Sequence, residues 1–72
     1  MEERILDIMR NVFEDASVDV ASNQNNCPNW DSLRQLTLVS ELEDEFDVEF
    51  EPEEIAQMRS FTQVREILMT KL

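Results

Sequence analysis

Apolar residues in this chain return every three or four positions, the spacing that places them along one face of a helix, rather than in the alternation of a half-buried strand. Ile5, Met9, Val12 and Phe13 mark such a face over roughly residues 2–15. A second helix is expected to start at Asp31 or Ser32 and run to about Phe46, with Leu33, Leu36, Val39, Leu42 and Phe46 as its inward stripe. Pro52 suits the first turn of a short third helix, where its missing N–H costs little. Glu53 and Glu54 follow it, and Ile55 and Met58 face inward. Ser60 and Gln63 stand at capping-box spacing and open a fourth helix carrying Phe61, Val64, Ile67 and Leu68 on one side. The expected fold is therefore all-α: a four-helix bundle with three main helices, one short third helix and a long loop between the first two.

That loop runs from Ala16 to Asn29 and includes SNQNNCPN, a stretch of asparagines, serine and proline with little to bury. Val18 and Val20 are expected to pin it to the core. Its length is unusual inside a compact domain, where such loops are often functional. With 72 residues the chain makes one domain, 1–72. A domain of that size buries only about 60% of the surface its unfolded chain exposes, which leaves little room for a catalytic cleft beside the core.

Charge narrows the partners. Seventeen acids against six bases, with no histidine, give a formal net charge of −11. Nucleic acid and anionic membrane surfaces carry the same sign and are excluded as partners, because binding them needs lysines and arginines. Basic protein surfaces are the natural counterpart. No apolar run approaches the roughly 20 residues that span a bilayer. The opening MEERILDIM lacks the cationic start of a secretory signal, and the lone Cys27 cannot form an internal disulfide. A monomer in the cytoplasm is expected.

Most enzyme chemistry fails for lack of parts. Without histidine there is no Ser-His-Asp or Cys-His pair to activate a nucleophile, and one cysteine cannot build a structural zinc site. The acidic run ELEDEFDVEFEPEE lacks the glycine of a calcium-binding EF-hand loop, and Pro52 intrudes on it. No catalytic residue and no dedicated metal site is expected. The chain reads as a non-enzyme.

The informative segment is NWDSLRQLTLVSELEDEFDVEF. Ser32 stands where an irregular loop meets a helix N-terminus, whose unpaired N–H donors and partial positive charge suit a phosphate ester on the hydroxyl. Asp31 is placed to cap that helix. The same serine could itself be only a capping residue. The order D-S-L, then LxxLxxV, then E-L-E-D-E-F-D resembles the acyl carrier protein family. The triplet Asp31, Ser32, Leu33 matches the family's DSL signature, EDEFDVEF resembles its EEEF-type helix ending, and PEEIAQMRSFTQVREIL has its short acidic third helix and its fourth. The resemblance spans essentially the whole chain. It implies that Ser32 is joined by a phosphodiester to 4′-phosphopantetheine, transferred from coenzyme A by a phosphopantetheinyl transferase. The arm's terminal thiol would then carry an acyl group as a thioester to acyl-transferring or acyl-activating enzymes with basic docking surfaces.

For docking, positions 34, 37, 41, 44 and 45 fall on one side of the second helix. Arg34, Thr37, Glu41, Asp44 and Glu45 are the expected partner-facing residues, in a segment (31–54) that carries ten acids and one arginine. Arg34 and Thr37 stand where carriers of bulk fatty-acid biosynthesis are typically acidic, which points to a specialised lipid or polyketide-like pathway. The approach Cys27-Pro28-Asn29-Trp30 lacks the glycine common in the family; Trp30 could pack in the core or anchor a partner. Val39, Leu42 and Met58 could pack in the core or line a space for a folded-back acyl chain. Two other readings stay open: an aminoacyl or peptidyl carrier, and an unmodified acidic helical module that binds a basic protein surface.

Overall fold

In the computed structural model, which describes residues 1–72, four helices follow in order: α1 (Glu2–Phe13), α2 (Ser32–Phe46), α3 (Pro52–Ala56) and α4 (Phe61–Met69). There are no strands, only an isolated bridge between Asn23 and Ser60. No helix is long and apolar enough to cross a membrane.

Helix ends follow from local chemistry. α1 stops at Phe13, two residues short of the sequence expectation, because Glu14 turns into the left-handed region with φ 52°. Asp15 then accepts the Ser17 N–H at 2.9 Å and starts a turn. α2 closes on Asp47, also left-handed with φ 55°. Glycine would take both positions without steric cost, but the chain has none. At α3, Pro52 occupies the first turn and Glu54 Oε1 accepts the Glu51 N–H at 2.7 Å. At α4 the Ser60 hydroxyl accepts from the Gln63 N–H at 3.2 Å, while Gln63 Oε1 takes the N–H of Arg59, one residue before the expected capping-box partner.

The core combines Ile5, Leu6, Met9 and Phe13 of α1 with Leu38, Val39 and Leu42 of α2 and Phe61, Val64 and Leu68 of α4. Val18, Cys27, Trp30, Phe50 and Met58, all from connecting segments, complete it. The long loop is thus part of the core. Val18 pins it as expected, but Val20 is 56% exposed and does not. Trp30 and Cys27 replace it as anchors, and the Trp30 ring stacks on Phe13 with centroids 4.9 Å apart. The loop's polar residues close its turns: Asn26 Oδ1 accepts the Asn23 N–H, and Asn29 Nδ2 donates to the Phe13 carbonyl at 2.7 Å. Loop and α3–α4 connection are then tied by two backbone bonds, Gln24 N–H to the Arg59 carbonyl and Phe61 N–H to the Ser22 carbonyl, each 2.9 Å.

The expected stripe of α2 requires correction. Leu33 and Leu36 face solvent at 77% and 59% exposure, and the inward residue of the first turns is Gln35. Its Oε1 accepts from Trp30 Nε1 at 3.0 Å and Gln24 Nε2 at 2.9 Å, and its Nε2 donates to the Ile55 carbonyl at 2.6 Å. This end of α2 meets an indole N–H and a helix-end carbonyl. A buried amide there bonds both, whereas a leucine would leave the indole N–H unpaired and the carbonyl with only its backbone partner, the Met58 N–H. On α1 and α4, Val12 and Ile67 are only half-buried.

Cys27 lies in this packed region, and its Sγ–H points to Asp15 Oδ2 at 3.9 Å. Burial first, with the Asp15 carboxylate adding to it, pushes the thiol above its ordinary range. The folded state therefore holds the thiol's proton more tightly than the unfolded chain. Stability from this source is complete below the unfolded thiol pKa and is lost as pH rises through the folded one. Alkylation by iodoacetamide near neutral pH should run at least about tenfold slower than for an exposed cysteine, and urea should restore the rate. Fast labelling of the folded chain would show that the thiol is accessible.

Candidate functional site

Asp31 is the N-cap of α2: its backbone is extended (φ −116°, ψ 179°) and Oδ1 accepts the Arg34 N–H at 2.8 Å. That leaves Ser32, the first helical residue, without a capping task. Its side chain is exposed and its hydroxyl makes no hydrogen bond within the chain. The free N–H groups of the first helical turn surround it with partial positive charge.

Beside Ser32 a groove of about 410 Å³ runs between the start of α2 and α3. Leu36 forms one wall, Ile55 and Ala56 the other, and Gln35 its floor; Gln24 and Arg59 close the loop end. The Arg59 backbone is held at both ends, its N–H by Gln63 and its carbonyl by Gln24. Its guanidinium is free. Each of the other five basic residues forms an ion pair: Arg4 with Glu45, Arg10 with Asp7 and Glu3, Arg34 with Glu14, Arg65 with Glu2, and Lys71 with Glu54.

Asp31, Ser32 and Leu33 are therefore gathered at the loop–helix junction, with Leu33 pointing straight outward from the core. The expected docking row is divided. Thr37, Glu41, Asp44 and Glu45 are exposed and Arg34 is half-buried, but Arg34 and Glu45 reach across to the α1 side. Arg34 Nη2 lies 3.2 Å from Glu14, its Nη1 donates to the Phe13 carbonyl at 3.1 Å, and Glu45 pairs with Arg4. Positions 34, 37, 41 and 45 border the α1 seam, so two long side chains at its ends reach across it. Arg34 thus completes the C-terminal end of α1 instead of projecting a positive charge at a partner. Trp30 is buried at 5% exposure and belongs to the core, as do Val39, Leu42 and Met58.

Two residues of the site escaped the sequence reading. Gln35 gave no signal, since a polar residue between leucines looks like the wet side of a helix. Arg59 had one: it is the sole cation between Arg34 and Arg65.

The carboxylates of the α2–α3 segment remain mostly uncompensated. Among its exposed acids, Glu41, Asp44, Asp47, Glu49, Glu51 and Glu53 have no basic partner, and no three acidic or thiol side chains converge to hold a metal ion. Their mutual repulsion weakens the compact state and is screened within about 8 Å at physiological salt. Raising salt from 10 to 150 mM should raise the melting temperature by several degrees, read by circular dichroism. A melting temperature indifferent to salt would mean that the ion pairs already balance the repulsion.

No family model matches the sequence, and no curated protein matches it. Solved structures do. The fold superposes on a protein of Mycobacterium tuberculosis described as an acyl carrier protein, with TM-score 0.86 and 23% identity over 96% of this chain and 95% of that one. The holo acyl carrier protein of Geobacter metallireducens gives 0.85 and 24%, over 97% and 83%. The acyl carrier protein of Thermotoga maritima gives 0.78 and 27%, over 96% and 82%. The chain is related to the acyl carrier proteins. Agreement over nearly the full length means that the acyl carrier fold accounts for every element, including the long first loop and the five-residue α3. Within that fold, D-S-L falls at the loop–α2 junction.

Proposed function

We propose that this chain is an acyl carrier protein that bears its cargo on a 4′-phosphopantetheine arm joined to Ser32. The observation that carries the reading is the Ser32 hydroxyl: exposed, unbonded, and relieved of capping by Asp31. The residues around it fit the group. The first turn of α2 and Arg59 suit a phosphodiester, the exposed amide of Gln24 suits the arm's own amides, and Leu36, Ile55 and Ala56 suit its apolar parts. When attached, the arm supplies a terminal thiol that holds an acyl group as a thioester. The chain's own contribution is to hold the attachment point on a rigid helix and to present it to partners. Docking then replaces free diffusion with a high local concentration.

The partners in this reading are a phosphopantetheinyl transferase and acyl-handling enzymes with basic surfaces, met by a monomer in the cytoplasm, where coenzyme A is at hand. Beyond Asp31 at the N-cap, exposed negative charge on α2 resumes only at Glu41, roughly 14 Å along the helix from Ser32. Leu33, Leu36 and Thr37 occupy the intervening surface. A suitable partner therefore offers an apolar seat beside the arm and its lysines or arginines farther along. An enzyme whose basic residues surround the arm's entry would dock less well. That distribution supports a specialised lipid or polyketide-like pathway over bulk fatty-acid synthesis.

The test is intact mass after incubation with coenzyme A and a broad-specificity transferase. One added phosphopantetheine per chain is expected. No gain would leave an unmodified acidic helical module as the reading.

A further inference from the structure

We propose that Arg59 holds the phosphate that links the arm to Ser32, fixing the start of the arm over the α2–α3 groove; this rests on the carrier reading above.

Three observations converge on it. Arg59 is the one basic side chain without an acidic partner, in a chain of net charge −11. It lines the same groove as Ser32. Its backbone is clamped on both sides, so the guanidinium starts from a fixed point although it forms no hydrogen bond or ion pair itself. On α3, Glu53 is unpaired and Glu54 pairs with Lys71; Arg59 joins neither.

Esterification gives this arrangement a task. A phosphodiester on Ser32 adds a negative charge next to the exposed Asp31 carboxylate, in a chain already at −11. Like charges so close disfavour the modified state unless a cation faces them. Guanidinium offers a planar fork that matches two phosphate oxygens, which the other groove residues cannot do. The bond forms no new covalent link; it orients one. With the phosphate held, the arm leaves Ser32 toward Leu36 and Ile55 instead of sweeping free solvent.

The experiment compares the apo and Ser32-loaded forms of the wild type, Arg59→Gln and Arg59→Lys. Loading itself is read by intact mass, so failure of the carrier reading appears as no mass gain in any chain. With loading achieved, the wild type should show a phosphorus NMR signal displaced from that of free phosphopantetheine. It should also show nuclear Overhauser contacts between the arm and the α3–α4 connection. Arg59→Gln should lose both, and Arg59→Lys should keep part of the displacement. The rise in melting temperature on loading, about 2–5 °C in the wild type, should vanish in Arg59→Gln, whose apo form should melt like the wild type. Loaded wild type and Arg59→Gln with the same phosphorus signal and the same arm contacts would overturn the proposal.

Discussion

Replacing Ser32 with alanine should, on the carrier reading proposed above, abolish attachment of phosphopantetheine while leaving the fold intact. The loss should be complete, because the oxygen that attacks the coenzyme A pyrophosphate is removed and no other serine or threonine opens a helix beside the groove. Ser40 and Thr37 lie farther along α2, Ser60 is occupied as the cap of α4, and Ser22 is buried. Stability should change by less than about 0.5 kcal/mol, since the Ser32 side chain is exposed and unbonded and alanine favours a helix. Asp31→Ala gives the useful contrast. It removes the bond to the Arg34 N–H and should cost about 1 kcal/mol while leaving the loading site chemically intact. Intact mass and thermal melts separate the two effects. Ser32→Ala protein that still gains the arm would move the attachment site elsewhere and remove the basis of the proposed function.

Gln35→Leu should be the most destabilising of the conservative single changes near the site, by about 1–3 kcal/mol. The leucine leaves the buried Trp30 N–H without a partner, while the Ile55 carbonyl loses the amide but keeps the Met58 N–H. For a domain of this size that corresponds to a fall of roughly 5–20 °C in melting temperature. The effect should also be directional. Gln35 joins the loop, α2 and α3, so amide exchange should rise first in the connection around Ile55, before α1 and α4 loosen. Leu36→Ala, one residue on but exposed, should change stability by less than about 0.5 kcal/mol. Equal melting temperatures for wild type and Gln35→Leu would show that water or a rearranged side chain satisfies the orphaned indole N–H.

These two positions also show where reading the sequence stopped. The DSL triplet announced Ser32 because local rules suffice there: an acidic N-cap fixes the helix start, and the residue after it must stand at the exposed first turn. Helix number, order and starts were legible for the same reason, since capping residues, Pro52 and a spacing of three to four are local signals. The two-residue overrun of α1 came from Glu14, which adopts a left-handed conformation that its residue type does not advertise.

Which face of α2 points inward was decided elsewhere. Apolar content favoured Leu33 and Leu36, but burial is set by what lies opposite, and opposite stood the Trp30 N–H and the Ile55 carbonyl, 20 residues away in sequence. The division of the docking row had the same origin: Arg34 and Glu45 reach α1, while Arg59 is left without an acidic partner. The 72 residues by themselves determined an all-helical chain, its helix starts, its acidic field and the serine at the head of α2. Only the tertiary structure decided which polar groups are buried, which charges cancel and which cation remains beside that serine, because hydrogen bonds and ion pairs between distant segments depend on distances that local spacing does not contain.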